Sequence, residues 1–254
     1  MKKIRSIISL FILLAVPCLA QFSDDDLYAS YLKQDMSYWG KYIRNADFSH
    51  ADNAEKERIL NYSYGYIAYA VSEKESDAEQ LLEVYKNRLD EVKGEIAEAH
   101  RLTYLSAYYA YAINYNKLKF LTYGKETISL SEQAVENDNK CPLALSLRGN
   151  ILFYCPRFFG GDKQKALDNF LLAEKQYKSR NDTKNWNYMA LQLTIAQCYE
   201  KLGDKQEALR RSKEMLVMEP EFKYVRDVYL PKLEGKKVKN EADVTGKLTN
   251  MILE

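Results

Sequence analysis

Glycine and proline are scarce in this 254-residue chain, at ten and five copies. All-β folds need frequent turns and draw these residues for them, so the shortage disfavours sandwiches and barrels. Histidine is scarcer still: His50 and His100 are the only two, too few for histidine-rich metal sites and most histidine-based catalysis. Neither charge sign dominates, with 37 Lys and Arg against 36 Asp and Glu. A near-neutral chain lacks the basic surplus that nucleic-acid phosphates require. No H-E-x-x-H, G-x-S-x-G or P-loop sequence occurs. Gly160-Gly161-Asp162 precedes a helix start, but no Lys-Ser/Thr follows and the Asp162 carboxylate would repel an anion there. The reading is a non-enzymatic protein without metal or organic cofactor and without a nucleic-acid partner.

What is present begins with an export signal. Lys2, Lys3 and Arg5 precede an apolar run from Ile7 to Val16, and Ala20 closes it. A basic start, a short apolar run and a small final residue describe a secretory signal over residues 1–20, with the mature chain starting at Gln21. Cys18 raises lipidation as an alternative, but Pro17 sits where a lipobox needs a small residue. Cleavage removes three basic residues, takes the formal charge from +1 to −2, and leaves no transmembrane segment. The expected location is periplasmic or secreted. Cys141, Cys155 and Cys198 then remain, an odd number with no C-x-x-C spacing. They read as buried thiols, with a Cys155–Cys198 bridge left open.

Internal repetition decides the architecture. In Met189–Pro220, Ala196, Tyr199, Ala208 and Pro220 occupy the slots of a helix–turn–helix unit, small residues where helices approach and large ones between them. Gly203 ends the first helix of this unit and Asp204 caps the second. A second copy uses Gly149 and Leu152, then Ala166, Phe170 and Ala173. Its turn is longer and contains Arg157-Phe158-Phe159-Gly160-Gly161, whose aromatics are expected to tuck over the helix ends. Both second helices open alike, GDKQKAL from Gly161 and GDKQEAL from Gly203. Earlier segments read as further helix pairs, with Gly94, Gly124, Pro142 and Pro220 as breakers between segments. Single helices at Asp25–Arg44 and Tyr224–Leu233 close the ends. The expected fold is all-α, an α-solenoid of about four antiparallel helix pairs over residues 21–234. A tail over 235–254, with Val244, Leu248 and Ile252 in helical spacing, follows it.

These slots resemble the tetratricopeptide (TPR) pattern. Ala134-Val135-Glu136-Asn137-Asp138, Pro142, Gly149-Asn150-Ile151-Leu152-Phe153-Tyr154, Asn185-Trp186 and Pro220-Glu221-Phe222 are similar to secreted TPR-like proteins of Bacteroidota. Over Ala134–Ala173 the chain also resembles the T component of TRAP-type transporters. The first resemblance implies an exported helical protein and no established activity. The second implies an accessory to a substrate-binding subunit.

Tyrosine, at 21 copies, is the one compositional excess. Tyr104, Tyr108, Tyr111 and Tyr115 share a helix face, and Tyr62, Tyr66 and Tyr69 form a similar stripe one pair earlier. First helices of such pairs line the concave surface. The stripes, with Asn150, are therefore the candidate binding surface, each ring of the longer stripe partly reachable by solvent; the alternative is that these tyrosines replace core residues and pack between helices. The function this implies is a scaffold presenting a tyrosine-rich groove to a protein or peptide partner. The alternatives are a transport accessory holding a small hydrophobic or glycan ligand, and a structural subunit of an envelope assembly. An open groove favours the peptide, and an enclosed tyrosine-lined pore favours the ligand.

Overall fold

The structure, a computed structural model, describes residues 22–238. The expected signal segment with Cys18, the Gln21 start and the tail residues Val244, Leu248 and Ile252 lie outside the described residues. Eleven α-helices and no strand are present among the described residues, so the fold is all-α. They are α1 (Asp24–Leu32), α2 (Met36–Asn45), α3 (Asn53–Ser72), α4 (Ala78–Glu91), α5 (Glu98–Tyr115), α6 (Phe120–Asn137), α7 (Pro142–Tyr154), α8 (Lys163–Ser179), α9 (Trp186–Leu202), α10 (Lys205–Met218) and α11 (Leu230–Leu233). Side-chain caps start several of them: Ser23, Asp52, Asp162, Asn185 and Asp204 each accept a backbone N–H of the following turn.

Helices α3 to α10 form consecutive hairpins, α3 with α4, α5 with α6, α7 with α8 and α9 with α10. The first helices of these hairpins also pack in order, α3 on α5, α5 on α7 and α7 on α9. Helix α1 then touches α9, so the layer curls until its beginning meets its end.

Small residues set the helix spacing. A Cβ on Gly149 would lie 2.3 Å from the Phe170 ring, so α7 and α8 approach only because that position has no side chain. Ala166, Phe170, Ala173, Ala196 and Ala208 are fully shielded. Leu152 is buried and Tyr199 half-buried, with the Arg211 guanidinium 5.9 Å from its ring centre. Gly160 and Gly203 both hold φ +94° at turns, a conformation that a Cβ would strain. Gly161 lies against the Cys155 carbonyl, and Pro220 is exposed in the turn after α10. Between the last two hairpins, Arg211 donates to both oxygens of Glu174 at 2.9 Å. Burial alone would raise the Glu174 carboxyl, but Lys178 and Arg211 hold it below its usual range.

Three sequence expectations are corrected. The first helix is broken at Gln34, which adopts φ 60°; the break folds α2 back so that Trp39 stacks on Tyr31 at 5.8 Å and donates its indole N–H to the Leu27 carbonyl at 2.7 Å. Gly124 lies inside α6 and breaks nothing. The expected last helix is present, with a π turn over Val225–Tyr229 inside it. Phe158 does not tuck: it is 80% exposed, and only Phe159 leans on Phe120. The three described cysteines are free thiols, with Cys141 and Cys198 buried.

Gly149→Ala should destabilise the protein by about 1–3 kcal/mol in denaturant unfolding, through overpacking against Phe170. Adding Phe170→Leu should recover part of that loss, whereas strictly additive costs would contradict the proposed contact.

Candidate functional site

The centre of the curled layer is aromatic. Asn185 accepts the Tyr188 N–H at 2.8 Å and so fixes where α9 begins. That start places the Trp186 indole at the axis. Its ring centre lies 5.1 Å from Trp39, 5.7 Å from Tyr64 and 6.0 Å from Tyr31. Gly65 on α3 makes the room: a Cβ there would lie 2.5 Å from Trp39 Cζ3 and 3.0 Å from Trp186 Cη2. Tyr31 also meets Phe222 at 5.6 Å, the Tyr28 hydroxyl donates to Glu219 at 2.8 Å, and Asn187 donates to Asn61 at 3.0 Å. The N-terminal helices are thus fastened to the C-terminal hairpin around one indole.

Trp186 lines three adjoining spaces. On one side is a crevice of about 80 Å³, floored by Tyr31, Trp39, Tyr64 and Tyr111, with Asn150, Tyr154, Thr194 and Gln197 also in its wall. On the other is a groove of about 830 Å³ that includes Tyr62, His100, Tyr104 and Tyr177. A gap of about 40 Å³ beside Asn150 and Tyr177 lies between them. The groove carries the carboxylates Asp24, Asp25, Asp52, Glu55, Glu57 and Asp182 against Arg58, Arg180 and Lys184. The Trp186 indole N–H is buried and has no hydrogen-bond partner.

The tyrosine stripes do not form a single solvent-reachable wall. Tyr104 and Tyr111 are 1% and 2% exposed, and Tyr62 and Tyr66 are also buried. The reason is packing: α5 is held between α3, α4, α6 and α7, which cover Tyr104 and Tyr111. The Tyr62 hydroxyl donates to Asp24 at 3.3 Å, and the Tyr66 hydroxyl donates to Glu75 at 2.8 Å while accepting from Arg44 at 2.9 Å. Tyr69 and Tyr108 are half-buried. Only Tyr115 of the longer stripe is exposed, its hydroxyl on Glu79 at 3.2 Å. Of the candidates, Tyr111 and Asn150 meet at the crevice, and Tyr62 and Tyr104 reach the groove with their edges.

Residues not assigned to a site from the sequence complete it: Tyr31, Trp39, Tyr64 and Trp186. One compositional signal was available, since the chain has only two tryptophans and both stand here. Burial pushes the Tyr64 phenol up to about 12, against opposing hydrogen bonds with Tyr111 and Asn150. Burial likewise holds Tyr104 and Tyr111 well above the usual phenol range. These rings therefore stay neutral and serve as stacking surfaces with hydroxyl tips.

His100 sits on the groove with Glu57 against its Nδ1 and the buried Cys141 on its other side. Burial alone would depress the imidazole, but these two partners outweigh it and push the ring up to about 10. The upward shift favours the charged ring, which has no free lone pair to offer a metal.

No protein-family model matches this chain, and no curated protein matches it in sequence. Among solved structures, it is similar to the HusA haemophore from Porphyromonas gingivalis, with a TM-score of 0.54 at 17% identity, over 70% of this chain and 94% of that one. At that identity the likeness is one of fold: an all-helical chain of the same general path.

Because the folded His100 titrates near 10 rather than its ordinary 6.5, its contribution to stability is complete below pH 6.5 and is lost as pH rises through about 10. The stability gap between wild type and His100→Gln should therefore narrow steadily across that window in urea unfolding. A gap independent of pH would contradict the ion pair.

Proposed function

We propose that this is an exported, non-enzymatic binding protein that takes a flat, largely apolar ring molecule of the porphyrin class into its central aromatic crevice. The observation that carries the reading is Trp186, which borders crevice, gap and groove alike with an unpartnered indole N–H. Ligand sites of this kind usually enclose about 300–1,000 Å³ and are walled by apolar and aromatic side chains with few polar groups. The crevice has that lining but only about 80 Å³. Rotation of the Trp186 indole joins it to the groove and supplies the missing room. The fold likeness to a haemophore supports a ring ligand and makes haem the first probe.

The chemistry of the walls says how such a ring is held. Tyr31, Trp39, Tyr64 and Tyr111 offer ring faces and edges, and Asn150 and Gln197 offer amide groups. Arg180 and Lys184 are exposed cations on the groove suited to ligand carboxylates. Iron ligation is weakly provided for: His100 is charged and engaged, and the phenols are held neutral. Among the described residues lining the crevice, the Met36 thioether is the remaining candidate. Stacking and shape, not the metal, carry the affinity.

A second reading rests on the groove alone. Its excess of carboxylates suits a basic polypeptide segment, the peptide-scaffold function in a different place from the tyrosine stripes.

Titration with haemin and with metal-free protoporphyrin IX, followed by the absorbance band and by tryptophan fluorescence, tests the first reading. Saturable one-to-one binding at micromolar or lower concentration is expected, with the two rings within about tenfold of each other. Tyr111→Leu with Asn150→Ala should weaken both by about tenfold or more. Absence of saturable binding, or binding of haemin alone, contradicts it.

A further inference from the structure

Three large apolar side chains stand out in solvent at one place on the surface: Leu118 is 83% exposed, Leu121 90% and Phe158 80%. They come from two separate stretches of chain. Leu118 lies in the 3₁₀ turn Lys117–Lys119 and Leu121 at the start of α6, whereas Phe158 lies in the 3₁₀ turn Arg157–Phe159 between α7 and α8. Ring contacts join the two stretches, with Phe158 at 4.2 Å from Phe159 and Phe159 at 4.7 Å from Phe120. A lone exposed leucine needs no explanation, but a contiguous cluster of this kind does.

The charges carried by these two stretches have one sign. Residues 116–125 contain Lys117, Lys119 and Lys125 and no acid, and residues 155–161 contain Arg157 and no acid. Two acids follow directly: Glu126, exposed beside Lys125, and Asp162, which is engaged in capping α8 through the N–H groups of Gln164 and Lys165. In a chain whose acids and bases nearly balance overall, this is a local basic rim around an apolar tip.

We propose that this tip docks the protein on an anionic lipid bilayer. Leu118, Leu121 and Phe158 enter the boundary between headgroups and acyl chains, and the lysines and Arg157 rest against lipid phosphates. Apolar side chains flanked by Lys and Arg are what interfacial attachment requires, because the long cationic side chains reach back to the headgroups while their neighbours sink. Protruding turns, rather than a groove, suit a soft fluid surface better than a shaped protein partner. No helix among the described residues is long and apolar enough to cross a membrane, so contact at this tip is peripheral. The proposal does not rest on the ring-ligand reading, since these residues line neither the crevice nor the groove.

Co-sedimentation of the full chain with vesicles tests it, using phosphatidylcholine mixed with phosphatidylglycerol beside phosphatidylcholine alone. The comparison is between wild type and the triple variant Leu118→Ser, Leu121→Ser, Phe158→Ser, so the shared N-terminal apolar run cancels. Wild type should partition into the anionic pellet, and the triple variant about tenfold or more weakly, with unchanged melting because these side chains are exposed. Replacing Lys117 and Lys119 by Glu should weaken the anionic binding by about tenfold as well. Equal sedimentation of wild type and triple variant overturns the proposal. So does a wild-type dimer in gel filtration that the triple variant dissolves, since the tip would then be covered by a second copy.

Discussion

A stack of helical hairpins closes on itself only if its two ends share something at the axis, and here they share the Trp186 indole. Trp39, Tyr31 and Tyr64 surround it, so one side chain from α9 buries itself among α1, α2 and α3. Truncating such a buried aromatic costs about 3–5 kcal/mol, a large part of the net stability of an ordinary domain. The hydrogen bonds that accompany the closure, Tyr28 to Glu219 and Asn187 to Asn61, contribute less and depend on the rings to bring their partners together. Gly65 is the backbone concession that permits the arrangement, because a Cβ there would collide with the Trp39 indole and crowd that of Trp186.

The same packing explains why the candidate site is small and why its walls are aromatic. Filling the axis stabilises the closed form but leaves only the narrow crevice beside Asn150 and the acid-rich groove beside His100. A residue that both clamps the ends and borders every adjoining space couples binding to closure. Whatever enters must compete with the contacts Trp186 makes, and its affinity is reduced by the population of the displaced indole.

Much of the fold was legible because its determinants are local. The matched GDKQ turns, the capping residues Asp162 and Asp204 and the small residue Gly149 act within one hairpin, where spacing along the chain is spacing in space. The site was less legible because it is assembled from α1, α2, α3, α5, α7 and α9, which approach only after the layer curls. The tyrosine stripes illustrate the limit. Offsets of four and three residues place Tyr104 and Tyr111 on one face, but whether that face meets solvent depends on α3 and α7, far away in sequence. In α3, Tyr64 packs on Trp186 at 5.7 Å and Tyr62 on Trp39 at 5.0 Å, contacts that exist only once the distant helices have come together. Phe158 was misplaced for the opposite reason: flexibility at Gly160 and Gly161 permits a fold-back but supplies no pocket to receive the ring.

Amide hydrogen exchange on Trp186→Ala tests the central claim most directly, because it reports protection helix by helix. If the indole is what joins the ends, α1 and α2 should lose protection together, by about two to four orders of magnitude for a loss of about 3–5 kcal/mol, while the α5–α6 and α7–α8 hairpins keep theirs. Unchanged protection in α1 and α2, or a uniform loss across all hairpins, would contradict it.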